Sequence, residues 1–348
     1  MKSAVITGGR KIEIIEKPIP KVNKVPLVKV THVGICGSDV HYWEEGEHFK
    51  GVTLGHEYTG IIEEDNSDSG LKKGDRVVGY TQNSLNEACG ICFECINGNF
   101  DKCNNKTVKI SVGCEVEHPG AYSEYISWFP HGVFKIPDSV SNEEAALTEP
   151  AAVGLHAVRL SEVHAGDKVV VFGGGIIGAC VAEWVRIFGA SNIIIVEKSI
   201  DKVAELEKLK IADTVLCSDE GNIKEKLLEL SDGGFDLFFD CVGISSTVNL
   251  GLETLKRGKT GVAVGVNFDL VPVSYYDIVV RQLRLQGSKG HVPEEFKMVL
   301  RALENNTINL KKYISKKIAL DEIQETMEMI KKDAKNFKIL IDMEKDLK

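Results

Sequence analysis

The sequence predicts an α/β fold combined with a β fold: an open, doubly wound sheet in the second half of the chain and an all-β unit in the first. Three observations predict it. Residues 1 to about 140 read mainly as short strands with little helical periodicity. From Lys168 the pattern alternates strand and helix. Gly173-Gly174-Gly175-Ile176-Ile177-Gly178 sits where the first of those strands turns into a helix.

The first half holds candidate strands Lys11–Lys17, Leu27–Val33, Tyr58–Glu64, Arg76–Tyr80 and Ala121–Trp128, rich in Val, Ile and Tyr. One long loop, Gln82–Gly120, interrupts them. Ser141 and Glu144 have capping-box spacing at a helix start. Pro150 should then break the helix, leaving Glu149 between two helical segments, with Ala151–Leu160 as the second.

In the second half the candidate strands are Val169–Phe172, Ile193–Glu197, Thr214–Cys217, Leu237–Cys241 and Gly261–Val264. They are nearly continuous apolar runs, as strands covered on both faces must be. Candidate helices between them are Ile176–Phe188, Ile200–Leu209, Asn222–Leu230 and Thr247–Leu255. This alternation implies right-handed βαβ units. Two further helices, Glu294–Glu304 and Asp321–Ile330, and a last strand, Lys338–Met343, close the chain.

Composition bounds the function. The 348 residues suggest two domains of about 150 residues each. Hydrophobic residues are 43% and charged residues 27%, which suits a globular protein. Net charge is −9, which argues against a nucleic-acid partner, since phosphate contacts need a basic face. The uncharged run Val169–Ala182 is short and glycine-rich, so no membrane span is expected. Glu13, Glu16 and Lys17 break up the N-terminal apolar residues, so no signal-peptide core is expected and a cytoplasmic location is. Nine cysteines cannot all pair, and the cluster Cys89–Cys103 favours metal binding. Cys114, Cys180, Cys217 and Cys241 read as packed thiols.

The glycine run fits a dinucleotide site. Gly173 permits the tight turn, Gly175 lets backbone approach a pyrophosphate, and Gly178 allows close helix–strand packing. Glu197, at the end of the next strand, can accept hydrogen bonds from ribose hydroxyls and repel a 2′-phosphate, which favours NAD. Lys198 is the only neighbouring cation.

One cysteine cluster suits zinc, and a second set of metal-ligating residue types is scattered along the chain. Cys89, Cys92, Cys95 and Cys103 supply four thiolates from one loop, a closed shell for a structural Zn²⁺. Cys36, His56, Glu57 and Glu149 are dispersed, and taken alone Cys36 reads better as a buried thiol, His56 as a turn histidine and Glu149 as a helix-end charge.

The order Cys36-Gly37-Ser38-Asp39-Val40-His41, Gly55-His56-Glu57, the four-cysteine loop, Glu149-Pro150 and the glycine turn resembles the zinc-dependent medium-chain alcohol dehydrogenases over essentially the whole chain. Cys36 to Trp43 and Val153-Gly154-Leu155-His156-Ala157 look most like the sorbitol (polyol) and sugar-phosphate alcohol branch. The resemblance implies a GroES-like β domain with an inserted Rossmann domain and an active site in the cleft. Residues 1–150 would form the catalytic domain, with the structural zinc loop at about 82–120, residues 151–287 the Rossmann domain, and residues 288–348 a segment returning to the catalytic domain.

It further implies that Cys36, His56 and Glu57 lie at a catalytic zinc, with Glu149 a ligand directly or through water. Whether Glu57 or Glu149 is the direct fourth ligand stays open. Asp39 would orient His56. Ser38 and His41 match a proton relay, and Ile177, Glu197, Lys202, Val264-Gly265-Val266 and Ser288 match positions lining NAD. The implied activity is hydride transfer from a secondary alcohol to NAD with two zinc ions per chain, in a homo-oligomer, dimer or tetramer. Two departures leave threonine, butanediol and sugar-phosphate alcohols open as substrates. The structural cysteine set, lacking in animal sorbitol dehydrogenases, is complete here. Many polyol enzymes carry an Arg in the stretch that here reads Gly287-Ser288-Lys289-Gly290-His291. The rival classes are a zinc-independent reductase on the same fold and a non-catalytic NAD-binding protein.

Overall fold

A computed structural model describes residues 1–22, 25–65, 69–81, 89, 91–97, 102–103, 105, 113–127, 132–219, 221–267, 269–332 and 335–345. Trp128 and most of the loop at 82–112 lie outside them. In chain order the strands are β1 (Lys2–Gly8), β2 (Lys11–Glu16), β3 (Leu27–Gly34), β4 (Glu57–Glu64), β5 (Arg76–Gly79), β6 (Tyr125–Ser127) and β7 (Val133–Lys135). Then come β8 (Lys168–Phe172), β9 (Asn192–Glu197), β10 (Thr214–Cys217), β11 (Phe235–Asp240), β12 (Leu255–Ala263) and β13 (Arg284–Gly287), followed by β14 (Ile314–Ile318) and β15 (Lys338–Asp342).

The chain divides into two units. Unit 1 comprises Met1–Glu149, His291–Asp333 and Lys338–Lys348, and unit 2 comprises Pro150–Gly290 and Ala334–Phe337. Unit 1 is thus built from both ends of the chain. Its main sheet runs β14-β15-β3-β4-β5-β7, with β6 also paired to β3, and β1-β2 forms a separate hairpin. Val28, Val30 and Val33 of β3 share its core with Tyr58, Val77, Tyr122, Ile339 and Ile341. The last strand lies inside this sheet, between β14 and β3: it pairs antiparallel with β3, Leu340 opposite Gly34.

Unit 2 carries a six-stranded sheet in the order β10-β9-β8-β11-β12-β13, each pair parallel. The order reverses beside β8, the strand that feeds the glycine turn, and ligands of open α/β sheets bind at such a point. Val169, Val170, Val171 and Phe172 are all fully buried, which explains why the strand reads as an unbroken apolar run.

Several expectations shift. Helix Thr148–Leu160 contains Pro150 in its first turn, and the break from helix Asn142–Ala145 falls earlier, at Ala146-Leu147. A first-turn proline forfeits no intrahelical bond, because those N–H groups have no partner within the helix anyway. Glu149 is therefore a first-turn helix residue rather than a break. Helix Gly37–Glu44 and strands β1, β7, β13 and β14 were not foreseen. Among the described residues no helix is long and apolar enough to cross a membrane.

Candidate functional site

The dispersed residues converge in unit 1. Donor atoms of Cys36, His56 and Glu57 lie within 4.8 Å of one another. Cys36 precedes helix Gly37–Glu44, and its backbone N–H donates to Asp39 Oδ2 at 2.9 Å. Asp39 is fully buried, and its Oδ1 stands 3.4 Å from His56 Nδ1. One carboxylate thereby holds the backbone of Cys36 and the ring of His56 together.

His56 reaches this position through Gly55, which has φ +98°. A Cβ there would lie 2.6 Å from the Tyr122 ring, so the turn and the tyrosine exclude any larger residue. Tyr122 is itself fully buried and donates its hydroxyl to Asp39 Oδ2 at 2.7 Å. Sequence reading missed Tyr122, since nothing in its local pattern separates it from an ordinary core tyrosine.

Both candidate carboxylates are buried. Glu57 opens β4 directly opposite Gly34 of β3. A Cβ at Gly34 would lie 2.1 Å from Glu57 Oε2, so glycine makes the room for this acid. Lys338 Nζ bonds Glu57 Oε1 at 2.7 Å, approaches Oε2 at 2.6 Å and donates to the Ile35 carbonyl at 3.0 Å. Lys338 starts β15, and the pairing of β15 with β3 delivers it there; sequence reading missed it too. Glu149 is not in the three-donor set, and its Oε1 stands 3.3 Å from His291 Nε2.

The electrostatics favour a cation. Burial alone would push the His56 imidazolium down, but Asp39 and Cys36 overcome it and hold His56 well above the ordinary histidine value. Burial likewise opposes the charge on Lys338, and Glu57 and Cys36 outweigh it and raise that ammonium. Burial pushes the Glu57 carboxyl up against the pull of Lys338. At Glu149 burial also pushes up, yet His291 leads the interactions that bring it below the usual carboxylate range. Sulfur, imidazole and carboxylate that draw positive charge into a buried place form a donor set that fits Zn²⁺.

The second set is also assembled. The donor atoms of Cys89, Cys92, Cys95 and Cys103 lie within 4.8 Å of one another. Cys92 Sγ is 3.4 Å from Cys95 Sγ and 3.8 Å from Cys103 Sγ. Four sulfurs about 2.3 Å from one zinc would stand about 3.8 Å apart, so the spacing suits that ion. The Ile91 backbone N–H is the largest influence pulling the Cys89 thiol down to about 6, toward the thiolate that metal needs.

Ser38 is half-buried and His41 exposed, three positions apart on one helix and so on neighbouring turns. In unit 2, Gly173 has φ +89°, and a Cβ on Gly178 would meet the Gly173 carbonyl oxygen at 1.9 Å. Gly175, the residue before helix Ile176–Ile187, has no atom within 4 Å of where a Cβ would project. Close packing at Gly178 and open space at Gly175 are what a pyrophosphate on the helix N-terminus requires. Glu197 Oε2 accepts from Gly174 N at 2.8 Å, while Oε1 accepts from the N–H groups of Lys198 and Ser199. The acid is thus fixed against the glycine turn. Ile177 is half-buried at the start of the helix, Val264 is buried, Gly265 is half-buried and Val266 is exposed. Ser288 is buried, and its hydroxyl has no hydrogen-bond partner among the described residues. Lys202 is buried; its ammonium donates to the Lys335 and Asn336 carbonyls and lies 4.0 Å from the Phe337 ring centroid.

Two stretches of the chain match models of known families. Residues 23–138 match the alcohol dehydrogenase GroES-like domain, and residues 177–305 match the zinc-binding dehydrogenase domain. A sorbitol dehydrogenase of Halalkalibacterium halodurans is 30% identical over 95% of this chain and 96% of its own. The chain belongs to the zinc-dependent medium-chain alcohol dehydrogenases.

Two solved structures bear the same fold. One is 2R,3R-butanediol dehydrogenase from Bacillus subtilis, with TM-score 0.86, 28% identity and coverage of 98% of this chain and 99% of that one. The other is a zinc-binding dehydrogenase of Sinorhizobium meliloti bound to NADP, with TM-score 0.86, 28% identity and coverage of 98% of each chain. The fold of this family member is accordingly a GroES-like β unit combined with a Rossmann-type parallel sheet. It is an oxidoreductase of the polyol branch that works with zinc and a nicotinamide cofactor.

Tyr122→Phe keeps the ring packed against Gly55 and removes only the hydroxyl. A hydrogen bond to a charged group is worth about 1.5–3 kcal/mol, so unfolding in denaturant should show a loss of that size. Unchanged stability would mean that water replaces the hydroxyl at Asp39.

Proposed function

We propose that this chain oxidises a secondary alcohol, a polyol or sugar alcohol or its phosphate, to the ketone, with NAD taking the hydride. The observation that carries this reading is the gathering of Cys36, His56 and Glu57 around a buried Asp39, with Glu149 nearby as a second acid. Unit 1 is the catalytic part and unit 2 the cofactor part. Cys36, His56 and one of the two carboxylates would hold a catalytic zinc, and the four-cysteine set a second, structural zinc. The catalytic ion supplies Lewis acidity that lowers the pKa of the alcohol.

The chain's own residues do the rest. Asp39 fixes the ring of His56, so that Nε2 faces away from the carboxylate. Ser38 takes the substrate proton, and His41, exposed on the same helix, passes it to solvent. Histidine is the residue type suited to proton exchange near neutrality. In unit 2 the N–H groups that open helix Ile176–Ile187 bind the pyrophosphate. Glu197, held by three backbone N–H groups, takes the adenosine ribose hydroxyls and repels a 2′-phosphate. Ile177, Lys202, Val264 to Val266 and Ser288 line the NAD. None of the nine cysteines, all of them among the described residues, forms a disulfide, which supports a reducing, cytoplasmic setting. The exposed edge strand β13 supports a homo-oligomer.

Formation of NADH followed by absorbance, with a panel of polyols and before and after chelation, tests the activity. kcat/KM should be higher with NAD than with NADP, and Glu197→Ala should shrink the ratio at least about tenfold, roughly 1.4 kcal/mol. A higher kcat/KM with NADP would overturn the cofactor assignment. Metal analysis of replete protein should return two zinc ions per chain, and Cys92→Ser about one, with lower stability; one ion in the unaltered protein refutes the two-site reading. His41→Gln should slow oxidation by about 10²–10⁴-fold at low pH and by less at high pH, where hydroxide can replace the base. Equal activity across the pH range would make His41 a bystander.

A further inference from the structure

After leaving for unit 2, the chain re-enters unit 1 at His291 and again at Lys338. Each re-entry residue sets a base on an acid: Lys338 on Glu57 and His291 on Glu149. The Lys338 pair has a plain electrostatic account, because a buried carboxylate needs a counter-charge. His291 has no such account from packing.

Its side chain is 0% exposed. The Tyr80 ring meets it edge-on at 5.2 Å, and the Phe296 ring lies at 5.2 Å, tilted 33°. The Tyr80 hydroxyl donates to the His291 carbonyl at 3.4 Å. A phenylalanine would suit this aromatic cage. Yet the residue is a histidine, and neither ring nitrogen has a hydrogen-bond partner among the described residues. Leaving buried polar atoms unsatisfied is costly, so the nitrogens need a reason. Nε2 has one charged neighbour in reach, Glu149 Oε1 at 3.3 Å, within ion-pair distance though out of line for a hydrogen bond.

We propose that His291 is a positioning residue for Glu149. The aromatic cage fixes the imidazole, and Nε2–H holds the carboxylate through Oε1. That contact restrains the Glu149 rotamer and leaves Oε2 as the oxygen available to zinc at Cys36 and His56. His291 touches neither metal nor reacting atoms; it acts through Glu149. The proposal rests on the reading of Cys36, His56 and Glu149 as zinc-holding residues.

The test compares His291→Phe, His291→Gln and Glu149→Gln in the full-length metal-loaded protein. Phe fills the cage without a nitrogen, while the Gln amide reaches about as far as Nε2. Two readouts apply: the rate of catalytic zinc loss to a chelator, and the visible spectrum after cobalt replaces that zinc. The four-cysteine site serves as the internal control. His291→Phe should release the catalytic zinc about 10–100-fold faster and shift the cobalt bands, the usual scale for losing a group that orients a ligand. His291→Gln should recover most of the retention. In a Glu149→Gln background, His291→Phe should add nothing further. Unaltered release and bands in His291→Phe overturn the proposal. So does equal damage in both His291 variants with a lower melting temperature, because the role is then packing alone. If Glu149→Gln itself leaves release and bands unaltered, Glu149 is not at the metal. The reading of the site then fails first, and the proposal falls with it.

Discussion

The candidate zinc site depends on one buried carboxylate. Asp39 receives the Cys36 backbone N–H and the Tyr122 hydroxyl on one oxygen and faces His56 Nδ1 with the other. Two potential ligands that lie twenty positions apart are thereby locked to one point. A carboxylate on a ligand imidazole fixes both its tautomer and its orientation. The surrounding glycines follow from that point: Gly55 gives way to the Tyr122 ring, and Gly34 gives way to Glu57. Small residues at these places are conditions for crowding so many polar groups into a β core.

The two units handle charge in opposite ways. In unit 1, acids and bases are buried against each other, which costs desolvation and returns a fixed geometry. In unit 2 the glycine turn uses uncharged backbone donors, and the acid that serves it, Glu197, is kept half-exposed and tied to main-chain N–H groups. The first arrangement suits a permanently held cation. The second suits a cofactor that must arrive and leave.

Much of this was legible in the sequence because the signals are local. Strand β8, the glycine run and Glu197 lie within thirty positions, and each has one dominant periodicity or spacing. The four cysteines are likewise a single-loop pattern. The dispersed set was different: Cys36, His56, Glu57 and Glu149 gained meaning only through resemblance, because no spacing rule joins positions so far apart in the chain. Tyr122, Lys338 and His291 escaped for the same reason. Their roles arise from β15 lying beside β3, from the turn at Gly55 and from an aromatic cage, none of which leaves a periodic trace. The edge strand β13 was missed because it is polar and exposed, unlike the buried strands beside it. Pro150 was misjudged because a proline signals the first turn of a helix as readily as its end.

The partnership of Glu57 with Lys338 spans 281 positions. A ribosome releases Cys36, His56 and Glu57 well before the ammonium that balances Glu57. Until β15 inserts beside β3, the sheet of unit 1 lacks an interior strand, and Glu57 has no Lys338 to receive its charge. The earlier strands of unit 1 therefore stay incompletely paired while the residues of unit 2 are translated. Insertion of β15 completes that side of the sheet and neutralises Glu57 together, so a nascent chain cannot assemble the candidate site before Lys338 has emerged.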